Sequence, residues 1–378
     1  HLPFVSLIAT FGVFALSFIM RPIGGAIMGH YADYAGRRKV LILSMTIMTL
    51  ATTAIAFLPG FNTLGIASPI LFTLLRLMQG MAVGGELPGS TAFLIEHTFT
   101  KYRGFAGSLV LCTGFLGIFL GSLTAAILSA SFSYEYLLDW GWRFAYGIGG
   151  VLGIVGIYLR MKSKETSAFL KASVSGELPA KLVFTKYRWE LFLSVIFTSI
   201  LALGNYVLIA YVTTFLVKDQ GFSLSDALMI NLLALFLLTA LIPLFGYCSD
   251  LYGRKSMLFL GLAGMFLFIF PCFFLFLSGN WWYCLWGELL LSVVLAPINA
   301  TVPTVIAELF PTTVRASGIS IGYNLGQAFF GGTLPLVALT LIEITGNLLA
   351  PAWYVFLFNV VVLITWLFLK ETYKLVLE

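Results

Sequence analysis

Charge is scarce in this chain. Asp, Glu, Lys and Arg make up 10% of its 378 residues, against a hydrophobic share of 60%. Soluble globular domains carry about 25% charged residues, so a water-soluble fold is excluded. Cysteine is scarce too. Cys112, Cys248, Cys272 and Cys284 show neither CxxC nor metal-ligand spacing, which excludes a disulfide framework and a zinc site and leaves them as small apolar side chains. The three histidines, His1, His30 and His97, lie far apart, and no HExxH, P-loop or GxSxG motif occurs. Nothing therefore points to a hydrolytic enzyme, a metal or an organic cofactor, and no nucleic-acid partner is expected. Ten-residue alternating segments, the mark of a membrane barrel, are missing as well.

What is present is a series of apolar runs of about 20 residues or more, long enough to cross a hydrocarbon core about 30 Å thick. Eleven are read, at about 4–28, 40–59, 68–95, 105–129, 143–160, 190–217, 225–247, 256–278, 281–306, 316–342 and 351–369. The expected class is an all-α polytopic membrane protein embedded in a lipid bilayer. Assigning the intervening loops alternately to two sides places 17 of the 21 Lys and Arg on the side that carries Gly29 and Gly246. Positive charge is retained in the cytoplasm, so those loops are expected there, in a bacterial inner (plasma) membrane. The longest polar stretch, 161–189, also falls on that side and reads as a solvated linker. It separates an N-terminal bundle, 1–160, from a C-terminal bundle, 190–378.

Two hydrophilic sentences recur. "GHYADYAGRR" (29–38) and "GYCSDLYGRK" (246–255) share a frame of Gly, three residues, Asp, two residues, Gly and two cations, 217 residues apart. Glu96 precedes Arg103 by seven residues, and Glu308 precedes Arg315 by the same seven, at an offset of 212. Two markers in the same order imply a duplicated chain. Within the second half two spans precede Gly246, but in the first half one precedes Gly29, so a twelve-span protein with a further helix ahead of His1 is expected; eleven native spans would break the symmetry.

The paired Gly-x-x-x-Asp-x-x-Gly-Arg-Arg/Lys loops resemble the signature of the major facilitator superfamily. "RPIGGAIMGHYADYAGRR" (21–38), "RLMQGMAVGGE" (76–86), "DWGWRFAY" (139–146) and "KETSAF" (164–169) resemble its metabolite:proton symporters, the group of proline/betaine, citrate, α-ketoglutarate and shikimate carriers. The chain departs from that pattern at Ser167, where the group often has Pro. The resemblance implies the major facilitator fold of two pseudo-symmetric six-helix bundles, a central cavity and rocker-switch alternating access, with protons as the coupling ion.

The repeated loops suit a gate. Their glycines permit tight turns and close backbone approach. Asp33 and Asp250 are placed to accept hydrogen bonds from the following helix or to pair with a cation. Arg37, Arg38 and Arg254 can reach Glu96 and Glu308, with Arg103 and Arg315 close by in sequence. These nine residues are the expected cytoplasmic latch, closed in the outward-facing state; plain turn chemistry with topogenic charge is the alternative.

Ionisable groups inside spans are costly and usually functional. Arg21, Arg76, Glu86 and Glu288 qualify. At 100° per residue, Arg76, Gln79, Val83, Glu86 and Ser90 share one stripe. Arg76 is expected to hold a carboxylate through paired hydrogen bonds, and Glu86, in an apolar setting, to carry a proton. Further polar stripes comprise Ser194, Thr198 and Asn205; Glu288, Ser292 and Asn299, with Pro297 between; and Tyr323, Asn324 and Gln327. Arg21, beside Pro22, reads as a snorkelling or latch residue. The expected function is proton-coupled import of a small organic acid or zwitterion by a monomer. The alternative in the same fold is a proton-coupled exporter of a small molecule or siderophore, although Ser122 follows Gly121 where drug exporters have Pro. A sugar carrier's paired glutamines are not evident at Asn205-Tyr206. A membrane enzyme or channel is the reading from another class, and neither needs matched intracellular motifs.

Overall fold

A computed structural model describes residues 2–171 and 178–373, and among them the regular structure is helical, with no strand. Eleven long helices carry the chain. They are α1 (Leu2–Ala35), α2 (Arg37–Ala56), α3 (Ala67–His97), α4 (Arg103–Ser131), α5 (Trp142–Lys162), α6 (Arg188–Lys218), α7 (Leu224–Tyr252), α8 (Arg254–Leu277), α9 (Trp281–Glu308), α10 (Arg315–Thr345) and α11 (Ala350–Leu367). Each falls on one of the eleven apolar runs. α2 to α11 are individually long and apolar enough to cross a bilayer.

Local chemistry sets the helix ends. Ser223 accepts the N–H of Asp226 at 3.1 Å to start α7, and Asn280 accepts those of Trp282 and Tyr283 at 3.0 and 3.4 Å to start α9, both ordinary N-caps. Prolines at 22, 88, 243, 271, 297 and 303 lie inside helices; neighbouring helices re-satisfy the freed backbone groups in a membrane. Three single π turns interrupt the pattern, before α5 (Leu137–Gly141), within α6 (Val207–Tyr211) and within α10 (Gln327–Gly331).

Contacts group the chain into two compact units, each drawing on both sequence halves. One comprises residues 1–96, 120–186 and 312–325; the other comprises 97–119, 187–311 and 326–378. In the first unit α2 packs along α5, where Gly149, Gly150, Gly153 and Gly156 lie under Thr52, Thr53, Thr49 and Met45. Small residues at such a seam let the backbones approach where no hydrophobic drive separates helix from lipid. In the second unit α9 is the centre, buried along nearly its whole length against α6, α7 and α8.

The 161–189 stretch is not simply solvated. It forms short helices at Ser167–Lys171 and Pro179–Thr185, with Thr166, Pro179 and Val183 buried. They pack because Thr166 and Glu165 satisfy groups in the first repeated loop, and the second short helix lies on α1. Residues 172–177 lie outside the described residues.

Candidate functional site

The two repeated loops adopt one geometry. Gly36 and Gly253 have φ of 110° and 97°, a region that only glycine enters without strain, and each ends one helix and opens the next. The freed N–H groups of Arg37 and Arg38 are taken by Glu165, both at 3.1 Å. Those of Arg254 and Lys255 are taken by Glu371, at 2.9 and 3.0 Å. The next residue in each case, Thr166 or Thr372, donates its hydroxyl to Glu96 or Glu308.

Onto this frame the arginines dock. Arg37 is buried and forks onto Glu96 through Nε and Nη2 at 3.2 and 3.1 Å, while Nη1 pairs with Asp33 at 3.2 Å. Arg254 forks onto Glu308 at 3.4 and 3.3 Å and pairs with Asp250 at 2.7 Å. Arg37 also donates to the Thr312 carbonyl at 2.7 Å, and Arg315 reaches Glu96 at 3.0 Å. Arg38 does not reach Glu96. Its guanidinium donates to the Met161 carbonyl at 2.6 Å, because its backbone is already turned toward Glu165. Arg103 is buried, and its carbonyl accepts the Thr304 hydroxyl at 3.3 Å.

Asp33 and Asp250 cap helices, though not the following ones. Asp33 accepts the N–H groups of Ala316 and Ser317 at 3.2 and 2.8 Å, in the first turn of α10. Asp250 accepts those of Gly104 and Phe105, both at 2.8 Å, in the first turn of α4. A carboxylate there meets both orphan donors and the positive end of the helix dipole. Each motif therefore caps the helix opened by an arginine of the opposite sequence half. Asp33 lies beyond the 4–28 apolar run. Burial pushes its carboxyl up to about 6 from an ordinary 3.8, against the pull of Arg37 and of the Ser317 and Ala316 N–H groups.

Within the spans, Arg76 on α3 is half-buried and donates to Gln79 Oε1 at 3.3 Å and to the Tyr146 hydroxyl of α5. Its guanidinium lies 5.2 Å from the Phe72 ring centroid and 5.5 Å from that of Tyr146. Gln79 passes a hydrogen on to Thr52 of α2 at 2.8 Å. Among the described residues no carboxylate pairs with Arg76. Glu86, by contrast, is not in an apolar setting. It forms an ion pair with Arg160 of α5 and accepts the Ser44 hydroxyl at 2.7 Å. Arg160 also donates to the Leu41 carbonyl at 2.8 Å, so its long side chain reaches inward from a helix end. Arg21 lies with its guanidinium 3.8 Å from the Phe18 ring centroid.

The remaining stripes separate. Asn205 and Asn299 form a reciprocal amide pair, 2.9 Å in both directions. Glu288 is buried and accepts from Asn231 Nδ2 at 3.3 Å. Ser292 donates to the Ala234 carbonyl at 3.0 Å. Asn324 is buried and donates to the Gly84 carbonyl at 2.7 Å, which ties α10 to α3. Tyr323 is buried, and Gln327, also buried, opens the π turn of α10.

Eleven apolar helices with a twice-built arginine–carboxylate loop match the profile of the Major Facilitator Superfamily over residues 3–330 and 232–375. The chain belongs to this superfamily. Over 98% of its length it is 31% identical to the proline/betaine transporter of Escherichia coli (strain K12), covering 76% of that relative. It is equally similar, 31% identical over 98% of its length and 76% of the relative, to the glycine betaine/proline/ectoine/pipecolic acid transporter OusA of Dickeya dadantii. The proton:xylose symporter XylE bound to 6-bromo-6-deoxy-D-glucose shares the fold with a TM-score of 0.80 at 18% identity, covering 97% of this chain and 88% of XylE. The human organic anion transporter MFSD10 does so at 0.67 and 17% identity, over 95% of this chain and 83% of its own.

As a member of the major facilitator superfamily the chain is a multi-pass membrane transporter and not an enzyme. Several residues of its polar clusters lie outside the stripes read from the sequence: Glu165, Thr166, Glu371, Thr372, Tyr146, Arg160 and Asn231. Four of them carry a readable signal, because "KET" stands at both 164–166 and 370–372.

Proposed function

We propose that this transporter imports a small carboxylate-bearing zwitterion together with a proton by alternating access, in a bacterial inner membrane with the Gly29 and Gly246 loops cytoplasmic. One observation carries the reading. Arg76 is a guanidinium within a membrane helix that has amide, phenol and aromatic neighbours and, among the described residues, no carboxylate. An unbalanced cation in a span is costly, and a substrate carboxylate supplies the missing charge through two parallel N–H···O bonds. Proline, glycine betaine, ectoine and pipecolic acid, which the relatives' names list, all combine a carboxylate with a cationic nitrogen, and this supports the same class.

Glu86 and Arg160 form the second charged element of the proposed site. The loops around Gly36 and Gly253 serve as the cytoplasmic gate: Asp33, Arg37, Glu96 and Arg315 on one side of the repeat, Asp250, Arg254, Arg103 and Glu308 on the other. Their buried ion pairs hold one conformation at a fixed geometry, as a two-state element requires.

The test is uptake by the full chain reconstituted in liposomes. With an inward proton gradient, labelled proline or glycine betaine accumulates, and collapsing the gradient abolishes accumulation. Flux that ignores the gradient would overturn the symport reading. Uptake of sugars in preference to zwitterions would overturn the substrate class.

A further inference from the structure

Glu288 is the one acidic side chain read from the sequence whose surroundings supply no cation. It lies on α9, wholly buried, and Oε1 has no hydrogen-bond partner among the described residues. Oε2 accepts a single hydrogen bond, from Asn231 Nδ2 of α7 at 3.3 Å. Apart from the Arg254–Glu308 pair, the buried ionisable side chains on α6 to α9 are Tyr211, Cys272 and Cys284. None of them offers positive charge. An isolated ionised carboxylate in such a place costs far more than the neutral acid. Such surroundings favour the neutral acid, with Oε2 as the carbonyl that accepts from Asn231.

Asn231 connects this acid to the π turn of α6. Its Nδ2 has two hydrogens; one goes to Glu288, and the other to the carbonyl of Leu208 at 2.7 Å. Leu208 lies in the π turn of α6, Val207–Tyr211, where Val212 N–H bonds back five residues to Val207. A π turn is a local register defect that returns to α-helix by a shift of one residue, and such turns gather at functional sites. One turn further along, Ser292 of α9 donates to the Ala234 carbonyl of α7, so α7 and α9 are stitched at adjacent levels. A shift of the π turn that moves the Leu208 carbonyl pulls on Asn231, and with it on the one hydrogen bond that Glu288 accepts.

We propose that Glu288 carries the coupling proton, and that Asn231 ties its occupancy to the π turn of α6. The proposal rests on the symport reading above and names the group that performs it. The step is a proton transfer. The O–H bond at Oε1 breaks, the electron pair stays on the carboxylate, and the proton leaves to water admitted when the turn shifts. Reprotonation from the other side restores the neutral acid and the closed packing of α6, α7 and α9.

The experiment uses the reconstituted full chain and measures the steady-state ratio of internal to external zwitterion under an imposed inward proton gradient. The wild type concentrates it. E288Q, a neutral mimic of the protonated acid, equilibrates it whatever its rate of exchange, because a carrier without its proton site can no longer draw on the gradient. An E288Q protein that concentrates substrate to the wild-type ratio would sink the assignment. A wild type that exchanges substrate yet never concentrates it would instead sink the symport reading. Should E288Q transport nothing, Asn231→Ala decides the matter. It leaves the acid in place but removes its hydrogen bond to the α6 turn, so the pH of half-maximal accumulation moves. An unchanged pH profile in Asn231→Ala overturns the link to the π turn. Difference infrared spectroscopy adds an independent readout: a neutral carboxylic acid band in the wild type that is missing in E288Q supports the proposal, and an identical spectrum opposes it.

Discussion

Arg315 binds Glu96 at 3.0 Å, although the two belong to opposite halves of the duplicated sequence. The same carboxylate holds Arg37 at 3.1 Å and accepts the Thr166 hydroxyl at 2.7 Å, so one buried acid touches two buried guanidinium groups, with Asp33 as the second acid on Arg37. Removing one partner of a buried pair costs about 3–5 kcal/mol, because the other charge stays in place unpaired. Glu96→Gln is therefore expected to lower thermal stability by an amount in that range. It should also raise the labelling of a cysteine placed near Thr312. Unchanged melting together with unchanged labelling would remove Glu96 from the proposed gate.

The pH dependence of this cluster has a definite sign. With a carboxyl raised from 3.8 to about 6, Asp33 binds its proton more tightly in the folded protein than in the unfolded chain. Its contribution is full below 3.8 and is lost as pH rises through 6. The stability difference between wild type and Asp33→Asn should thus shift in favour of the wild type as pH falls from 7 toward 4. Melting curves of both proteins across that range check it, and parallel curves would contradict it.

Gly36 and Gly253 test the backbone rather than the charges. Both sit at positive φ with a glutamate carboxylate where a β-carbon would go. Gly36→Ala and Gly253→Ala are each expected to cost about 1–3 kcal/mol through backbone strain, and more if Glu165 or Glu371 is displaced. Equal losses in the two variants would support the equivalence of the loops. Wild-type melting in either would refute the strain argument at that loop.

Arg76→Lys separates point charge from fork. A lysine keeps the cation but lacks the planar pair of donors. Zwitterion affinity is expected to fall by about tenfold or more, equivalent to roughly 1.4 kcal/mol, measured by isothermal titration. An unaltered Kd would take Arg76 out of the proposed site.

The apolar runs made the eleven helices legible to within a few residues at most ends, because length and hydropathy alone decide where a chain crosses a bilayer. The pairing of Arg37 with Glu96 and of Arg254 with Glu308 was legible from spacing and duplication. The crossed caps were not. A motif's offset along the chain does not say which helix start its aspartate will meet, and the following helix was the nearer choice. Arg160 sits at the end of the 143–160 run, where a cation reads as a helix-end charge, so its reach to Glu86 carries no signal in the sequence. The "KET" repeat was visible in the letters, but one copy stood in a stretch that composition marks as linker and the other at the edge of the tail.

The crossed caps bear on how a duplicated chain of this kind comes to exist. A lone half would end its motif with an aspartate that has no helix start to receive, and would begin its arginine helix with bare N–H groups. Two identical halves side by side would satisfy each other, since the Asp33 and Asp250 contacts are the same contact made twice in opposite directions. Joined in one chain, the pair no longer needs to meet by diffusion. Each half is then free to diverge without dissolving the partnership.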